Sequence, residues 1–236
     1  MKLAGVPTAS AWVRHLKQMA SPSDAEGMAR FGIRSDHVLG ISVTALRAMA
    51  RTIGKDHALA QDFWKTGIFE ARVLAFLIDD PDHVREDQME LWAKDFDNWA
   101  ICDGVCLHLF RKTPFAWSKA VEWAGRKEEF VKRAGFVLMA VLAVHDKKAD
   151  NRCFLDLLPL VRREATDARN GVKKAVNWAL RQIGKRNRFL HAAAVRAAEQ
   201  IRTLASPSAR WIASDALREF RGAVVVRKLE RMEKKG

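Results

Sequence analysis

The chain has 236 residues, 49% of them hydrophobic, and a formal net charge of +13, so it is long enough to bury a sizeable core. Its three cysteines are too few for a disulfide framework, and charged residues interrupt every apolar stretch before it reaches the length of a membrane span. The first residues, Met1 to Pro7, lack the sustained apolar run of a signal peptide. We therefore expect a soluble, reduced, cytoplasmic protein with no membrane partner.

Helical periodicity runs through almost the whole chain, and alternating strand patterns are scarce. Ser10 is expected to cap a helix over residues 11–20, and apolar stripes predict helices at 42–50 and 70–78. Pro81 suits the first turn of a helix over 81–94. The remaining predicted helices are 97–111, 114–125, 128–145, 151–163, 167–184, 187–203, 208–220 and 223–234. The predicted fold class is therefore all-α.

The predicted helices follow one another through short turns, and no long linker divides residues 1–236, so a single domain is expected. Helix pairs of the HEAT-like repeat type stack into a curved solenoid, and its concave face forms a cleft that can wrap a rod-like ligand such as DNA. No strong internal sequence repeat accompanies the element spacing. A compact, irregular helical bundle therefore stays open as the alternative.

The positive charge is concentrated near the C-terminus. Residues 1–160 hold 22 lysines and arginines against 21 aspartates and glutamates, whereas residues 161–236 hold 19 against 7. Such a one-sided basic field is typical of a polyanion partner, most often a nucleic acid. A solvated basic face without a specific partner would give the same count.

Trp99 and Asp103 are four residues apart, which on a helix places an indole and a carboxylate on one face. Such a pair suits a reaction that builds positive charge, because an aromatic face and a fixed anion both stabilise a cation. Arg133 and Trp178 stand in later predicted helices, where a surface or a core role is equally open. No second Cys or His pair accompanies Cys102 and Cys106, so neither a metal nor another cofactor is expected.

Several short motifs occur in a fixed order along the chain. They are Met28-Ala29-Arg30, Leu39-Gly40-Ile41, Leu46-Arg47, Glu70-Ala71-Arg72, Trp99 with Asp103, Arg133-Ala134, and Lys174-Ala175 with Trp178, Leu180 and Arg181. Together they resemble the DNA alkylation repair family of HEAT-like-repeat proteins, whose members include alkylpurine DNA glycosylases of the AlkD type. The resemblance covers roughly residues 12–220.

The resemblance implies a monomeric, nucleoid-associated enzyme of base excision repair that hydrolyses the N-glycosidic bond of N3- or N7-alkylated purines in double-stranded DNA. It implies that Asp103 stabilises the transition state and positions water, that Trp99 and Trp178 pack against the sugar, and that Arg133 holds a phosphate. Further DNA contacts are expected from Lys173, Lys174, Arg181, Lys185, Arg186 and Arg188. Lys174 and Arg181 are favoured because they share a helix face with Trp178 between them.

Two other functions stay open. A non-catalytic protein of the same fold could bind branched or distorted DNA, although backbone binding alone would not need the Asp103 carboxylate. An interaction scaffold with an acidic protein partner would also explain the positive charge. The sequence contains no nucleophile elbow and no phosphate-binding glycine loop, so it does not support a hydrolase of another class.

Overall fold

The computed structural model describes residues 8–33 and 37–233, so the start of the chain, Met1 to Pro7, lies outside the described residues. Within the described ranges the regular elements are helices and no strand occurs, which confirms the all-α prediction. The chain divides into two compact units, residues 1–113 and residues 114–236. The expectation of one domain over residues 1–236 stays a prediction.

The N-terminal unit is organised around one apolar helix. Its elements are α1 (Ala9–Gln18), α2 (Pro22–Arg30), α3 (Val43–Ile53), α4 (His57–Lys65), α5 (Phe69–Ile78), α6 (Glu86–Lys94), α7 (Trp99–His108) and a 3₁₀ helix (Phe110–Lys112). Because the sequence of α5 is apolar on nearly every side, this helix is buried along most of its length and packs against α3, α4 and α7. α5 therefore forms the core that positions α7.

A buried carboxylate fixes the loop that precedes α3. Glu70, in the first turn of α5, accepts hydrogen bonds from the backbone N–H groups of Leu39 at 2.9 Å and Gly40 at 2.8 Å. Gly40 has a φ of +81°, and a Cβ atom there would lie 2.2 Å from the carbonyl oxygen of Ser21. Two of the family-like motifs, at residues 39–41 and 70–72, are thus two sides of one structural contact.

The C-terminal unit is organised around α9 in the same way. Its helices are α8 (Ala116–Ala124), α9 (Glu129–His145), α10 (Asn151–Leu155), α11 (Leu158–Glu164), α12 (Asn170–Gly184), α13 (Arg188–Arg202), α14 (Pro207–Phe220) and α15 (Ala223–Glu233). The continuous apolar sequence of α9 is buried against α8 and α12. Gly135 permits this close packing, since a Cβ atom there would lie 2.5 Å from the backbone nitrogen of Ala124.

Three predicted helix boundaries were wrong, each for a local reason. Thr8, not Ser10, caps α1, and its hydroxyl accepts the N–H of Ala11 at 3.4 Å. Pro81 lies in a turn closed by the backbone bonds from His83 to Asp80 and from Val84 to Pro81, and α6 begins only after the extended residue Arg85. The helix predicted over 151–163 is split into α10 and α11, because Pro159 cannot continue a helix.

Two helices had no counterpart in the sequence-based prediction. α2 begins with a proline at its first position, and α4 begins after Asp56, whose carboxylate accepts the N–H of Leu59 at 2.9 Å. Both starts carry residues that favour helix N-termini. Neither helix exceeds nine residues, so their apolar periodicity is short and easily overlooked.

Candidate functional site

Trp99 is the first residue of α7, and its side chain is exposed but fixed. Asn98 caps the helix, with its side-chain oxygen accepting the N–H of Ile101 at 3.0 Å. The indole of Trp99 is 41% exposed, and its Nε1–H donates to the carbonyl oxygen of Phe31 at 2.9 Å. The hydrogen bond holds the orientation of an aromatic ring that the core does not cover.

Asp103 follows one turn later on α7 and is half-buried. Its neighbours Cys102 and Cys106 are fully buried, so this part of the helix packs closely into the N-terminal unit. Residues four apart lie on the same helix face, which puts the Asp103 carboxylate on the side of α7 from which the Trp99 indole projects. The N-terminal unit therefore presents a fixed aromatic ring and a carboxylate from one helix.

Arg133 differs from the exposed, phosphate-binding side chain that we expected. It lies on α9, only 7% exposed, and its Nη1 donates to the carbonyl oxygen of Gly171 at 2.6 Å. Gly171 is in the first turn of α12, so the guanidinium joins α9 to the start of α12. A phosphate contact from Arg133 stays a prediction, and what the structure provides is a positioning contact between two helices.

Trp178 lies on α12, which packs closely on α9, and its indole is half-buried. Along α12, the exposed Lys174 precedes it by one turn and the half-buried Arg181 follows it by three residues. The C-terminal unit therefore has the predicted stripe of Lys174, Trp178 and Arg181 on one helix.

The six cations predicted to bind DNA have different surroundings in the C-terminal unit. Arg181 and Lys185 both donate to the carboxylate of Glu219 on α14. Burial disfavours the charged form of Glu219, yet the hydrogen bonds and charges of Lys185 and Arg181 outweigh it and keep the pKa of this carboxyl below its usual value. These two cations already have an anionic partner within the protein.

Arg186 has a structural position as well. Its guanidinium donates to the carbonyl oxygens of Ala143 at 3.1 Å and Ala149 at 3.0 Å, and lies over the ring of Phe154 at 4.3 Å. Burial lowers the pKa of Arg186 from its usual value, but an arginine stays charged at neutral pH. Arg186 therefore fastens the segment that follows α9.

Three of the predicted cations are more accessible. Lys174 and Arg188 are exposed, and Lys173 is half-buried with its ammonium 4.9 Å from the ring centroid of Trp211. Trp211, on α14, is 41% exposed and was not among the predicted site residues. Trp211 is the fifth residue of α14, and its contact with Lys173 is 38 residues away in sequence, so no local signal indicated it.

No helix in the described ranges is long and apolar enough to cross a membrane. Within residues 8–33 and 37–233, no group of three or more His, Cys, Asp or Glu side chains has the arrangement of a metal site. The side chains of Cys102 and Cys106 are fully buried, whereas the Cys153 thiol is free and exposed.

Comparison with known proteins adds a family and a fold. Residues 13–220 match the family model described as DNA alkylation repair enzyme. No curated protein sequence matches the chain.

One similar solved structure is from a family described as related to the HEAT-like repeat DNA glycosylases, with affinity for branched DNA structures. It is 18% identical, with a TM-score of 0.73 over 90% of this chain and 95% of that chain. At this identity the similarity shows the fold, and it confirms the predicted HEAT-like repeat class. A designed armadillo repeat protein in complex with a (KR)4 peptide matches at 16% identity over 80% of both chains, with a TM-score of 0.38 that supports no conclusion.

Proposed function

The chain belongs to the DNA alkylation repair family, and from this premise we propose that it is a DNA glycosylase that hydrolyses the N-glycosidic bond of N3- or N7-alkylated purines in duplex DNA. The observation that carries the proposal is the pair on α7. Trp99 is exposed and held by its bond to Phe31, and the carboxylate of Asp103 lies one turn away. Binding to the DNA backbone would not by itself require a carboxylate one turn from an exposed indole.

Hydrolysis of an alkylated purine nucleotide needs few catalytic groups, and Trp99 and Asp103 are suited to it. Alkylation at N3 or N7 makes the base cationic, so it can leave without being protonated. As the bond to the sugar breaks, its electron pair moves to the base and positive charge develops on the deoxyribose. Water then adds to the anomeric carbon and loses a proton.

In this mechanism Asp103 stabilises the developing positive charge and orients the water, from which it can also accept the proton. The face of the Trp99 indole would stabilise the same charge, since aromatic faces attract cations. Because Trp99 is fixed by its hydrogen bond to Phe31, little reorganisation is needed when the charge appears.

The cations of the C-terminal unit are proposed to supply affinity for DNA. Lys174 and Arg188 are exposed, and we propose them as the first phosphate contacts. Arg181 and Lys185 would have to exchange Glu219 for phosphate, and Arg186 is held by two backbone carbonyls. Trp178 and Arg133 keep the roles that the family resemblance implies, with Arg133 also positioning α12.

The proposal is tested by incubating the purified protein with duplex DNA that carries one 7-methylguanine and measuring abasic sites after alkaline cleavage. Asp103→Asn is expected to lower the single-turnover excision rate by about 10²–10³, the usual effect of removing one preorganised charge-stabilising group. Asp62→Asn is the matched control, because Asp62 is an exposed aspartate of the same unit. Equal excision by Asp103→Asn and the wild type would refute the proposed role.

A second candidate is a non-catalytic protein that binds branched DNA. It is favoured by the similar structure, which comes from a family with affinity for branched DNA structures. Affinity for a four-way junction well above that for duplex, together with no excision of 3-methyladenine or 7-methylguanine, would replace the glycosylase proposal with this one.

A further inference from the structure

The arginines at the start of the basic C-terminal region, Arg162 and Arg163, have no role in the function proposed above. Both lie on α11, and Arg162 lines two adjoining cavities in the C-terminal unit, of about 270 Å³ and about 300 Å³. Pro159 also lines both cavities, so they join along α11 into one groove. We call this the α11–α13 groove, because α13 forms its other side.

The floor of the α11–α13 groove is apolar and made of small or aliphatic side chains. Ala193 and Ala197 lie one turn apart on α13, and Leu158 lies opposite them on α11. Ala193 and Ala197 are each 7% exposed and Leu158 is 8% exposed, so a narrow apolar strip stays accessible between the two helices. The two alanines leave room that a larger residue would fill, which explains why a cavity exists between two helices that pack together.

The sides of the groove are positively charged. Arg162 and Arg196 are exposed on either side, and Arg163 lies at the adjoining cavity. Within the described part of the chain, no carboxylate lines the groove, and no ion pair engages Arg162 or Arg196. Arg163 is different, because its Nε donates to the carboxylate of Glu164 at 2.7 Å.

From these observations we infer that the α11–α13 groove binds a short acidic segment of a partner protein, with a bulky apolar side chain seated between Leu158, Ala193 and Ala197. The carboxylates of that segment pair with Arg162 and Arg196. An apolar anchor with charged flanks is a common mode of peptide recognition.

Two other occupants fit the groove less well. A DNA backbone would pair with the arginines, but a phosphate has no apolar group to place between Leu158, Ala193 and Ala197. A second copy of this chain would bring residues 114–236, with 27 lysines and arginines against 13 aspartates and glutamates, against a surface of the same charge.

The test uses the full chain, wild type and Arg162→Glu/Arg196→Glu, against a phage-displayed library of random peptides. Wild type is expected to select peptides that combine Asp or Glu with Leu or Phe. Synthetic versions of those peptides should bind the double variant at least about tenfold more weakly, as measured by fluorescence anisotropy. Each attraction between a peptide carboxylate and an arginine is replaced by repulsion from a glutamate. Arg210→Glu/Arg227→Glu is the matched control, since it makes the same charge change with two exposed arginines of the same unit that do not line the groove.

Selection of no peptides, or of peptides that bind the double variant as tightly as the wild type, would overturn the inference. So would a loss of duplex DNA affinity in Arg162→Glu/Arg196→Glu that exceeds the loss in Arg210→Glu/Arg227→Glu, because the groove would then be a DNA surface. Excision is not part of this test, so the inference and the glycosylase proposal can fail separately. Circular dichroism and a urea transition like that of the wild type establish that the double variant is folded.

Discussion

The two units of this protein differ sharply in charge. Residues 1–113 hold 14 lysines and arginines against 15 aspartates and glutamates, a net charge of −1, whereas residues 114–236 hold 27 against 13, a net of +14. The proposed catalytic carboxylate, Asp103, is in the nearly neutral unit, and the predicted DNA-binding cations are in the basic one. Under the proposed function, the carboxylate that stabilises the transition state and the cations that attract DNA thus belong to separate units of the chain.

Both units also contain charged side chains that form hydrogen bonds with backbone groups of the same unit. In the N-terminal unit the Glu70 carboxylate accepts hydrogen bonds from three successive N–H groups, those of residues 39–41. In the C-terminal unit Arg133 and Arg186 donate to backbone carbonyl oxygens. The net charge of the basic unit therefore overstates the number of cations that are available to phosphates.

The largest effect on stability is expected from Glu70→Gln, which tests whether the Glu70 carboxylate holds the backbone of residues 39–41 in the N-terminal unit. Glutamine has one acceptor oxygen in place of two and no charge, so at least one buried N–H group loses its partner. We expect the free energy of unfolding to fall by about 3 kcal/mol, since hydrogen bonds to charged groups are worth ~1.5–3 kcal/mol each.

Urea denaturation measures this loss, with Glu26→Gln on the exposed surface of α2 as the control. A loss no larger than that of Glu26→Gln would mean that Glu70 does not hold the loop before α3.

Trp99 and Trp211 allow the two units to be compared directly, because both indoles are 41% exposed. Trp99→Ala removes an aromatic face near Asp103 and is expected to slow single-turnover excision of 7-methylguanine by about tenfold, within the range of an exposed to partly desolvated cation–π contact. Trp211→Ala removes the ring that orients the Lys173 ammonium, so it should weaken duplex binding slightly without changing the single-turnover rate. Equal losses of rate in both variants would contradict the proposal that the N-terminal unit supplies catalysis and the C-terminal unit supplies affinity for DNA.

Glu219→Gln tests whether the ion pairs with Glu219 keep Arg181 and Lys185 from binding DNA phosphates. The variant is expected to be about 1 kcal/mol less stable at neutral pH, because a partly buried pair of ionic hydrogen bonds is lost. Freed from Glu219, the two cations should bind duplex DNA more tightly and with a steeper salt dependence. Unchanged affinity would indicate that neither cation reaches phosphate.

The stability effect of Glu219 also has a defined pH dependence. The pKa of Glu219 is lower in the folded protein than in the unfolded chain, so its contribution is complete above the unfolded pKa and is lost as the pH falls through the folded pKa. The difference in unfolding free energy between wild type and Glu219→Gln should therefore be constant near neutral pH and shrink in acid. A difference that persists in acid would show that packing, not charge, is responsible.

The helices with long apolar periodicity could be predicted from the sequence. α9 and α12 were found within a few residues of their observed ends because their periodicity extends over many turns. The turn at Pro81 could not be predicted, because local propensity there favours a helix start. The chain instead becomes extended at Arg85, next to the buried side chain of Val84, and such tertiary burial has no local signal.

The candidate site could be predicted in part, since spacing alone indicates which side chains share a helix face. The spacing of Trp99 and Asp103 and that of Lys174 and Arg181 corresponded to shared faces on α7 and α12. Periodicity cannot reveal what lies opposite a face. Glu219 is 38 residues from Arg181, and Gly171 is 38 residues from Arg133, so neither contact has a local signal.

The smallest expected effect is that of Lys174→Ala, and it locates the DNA-binding charge within the molecule. Lys174 is exposed on the helix face that carries Trp178, and losing one phosphate contact should lower the slope of log affinity against log salt by ~0.9. Arg47→Ala removes an exposed cation from the nearly neutral unit and should leave the slope unchanged. Duplex binding measured by anisotropy across a salt series separates the two variants, and equal slopes for both would mean that DNA does not distinguish the basic unit from the neutral one.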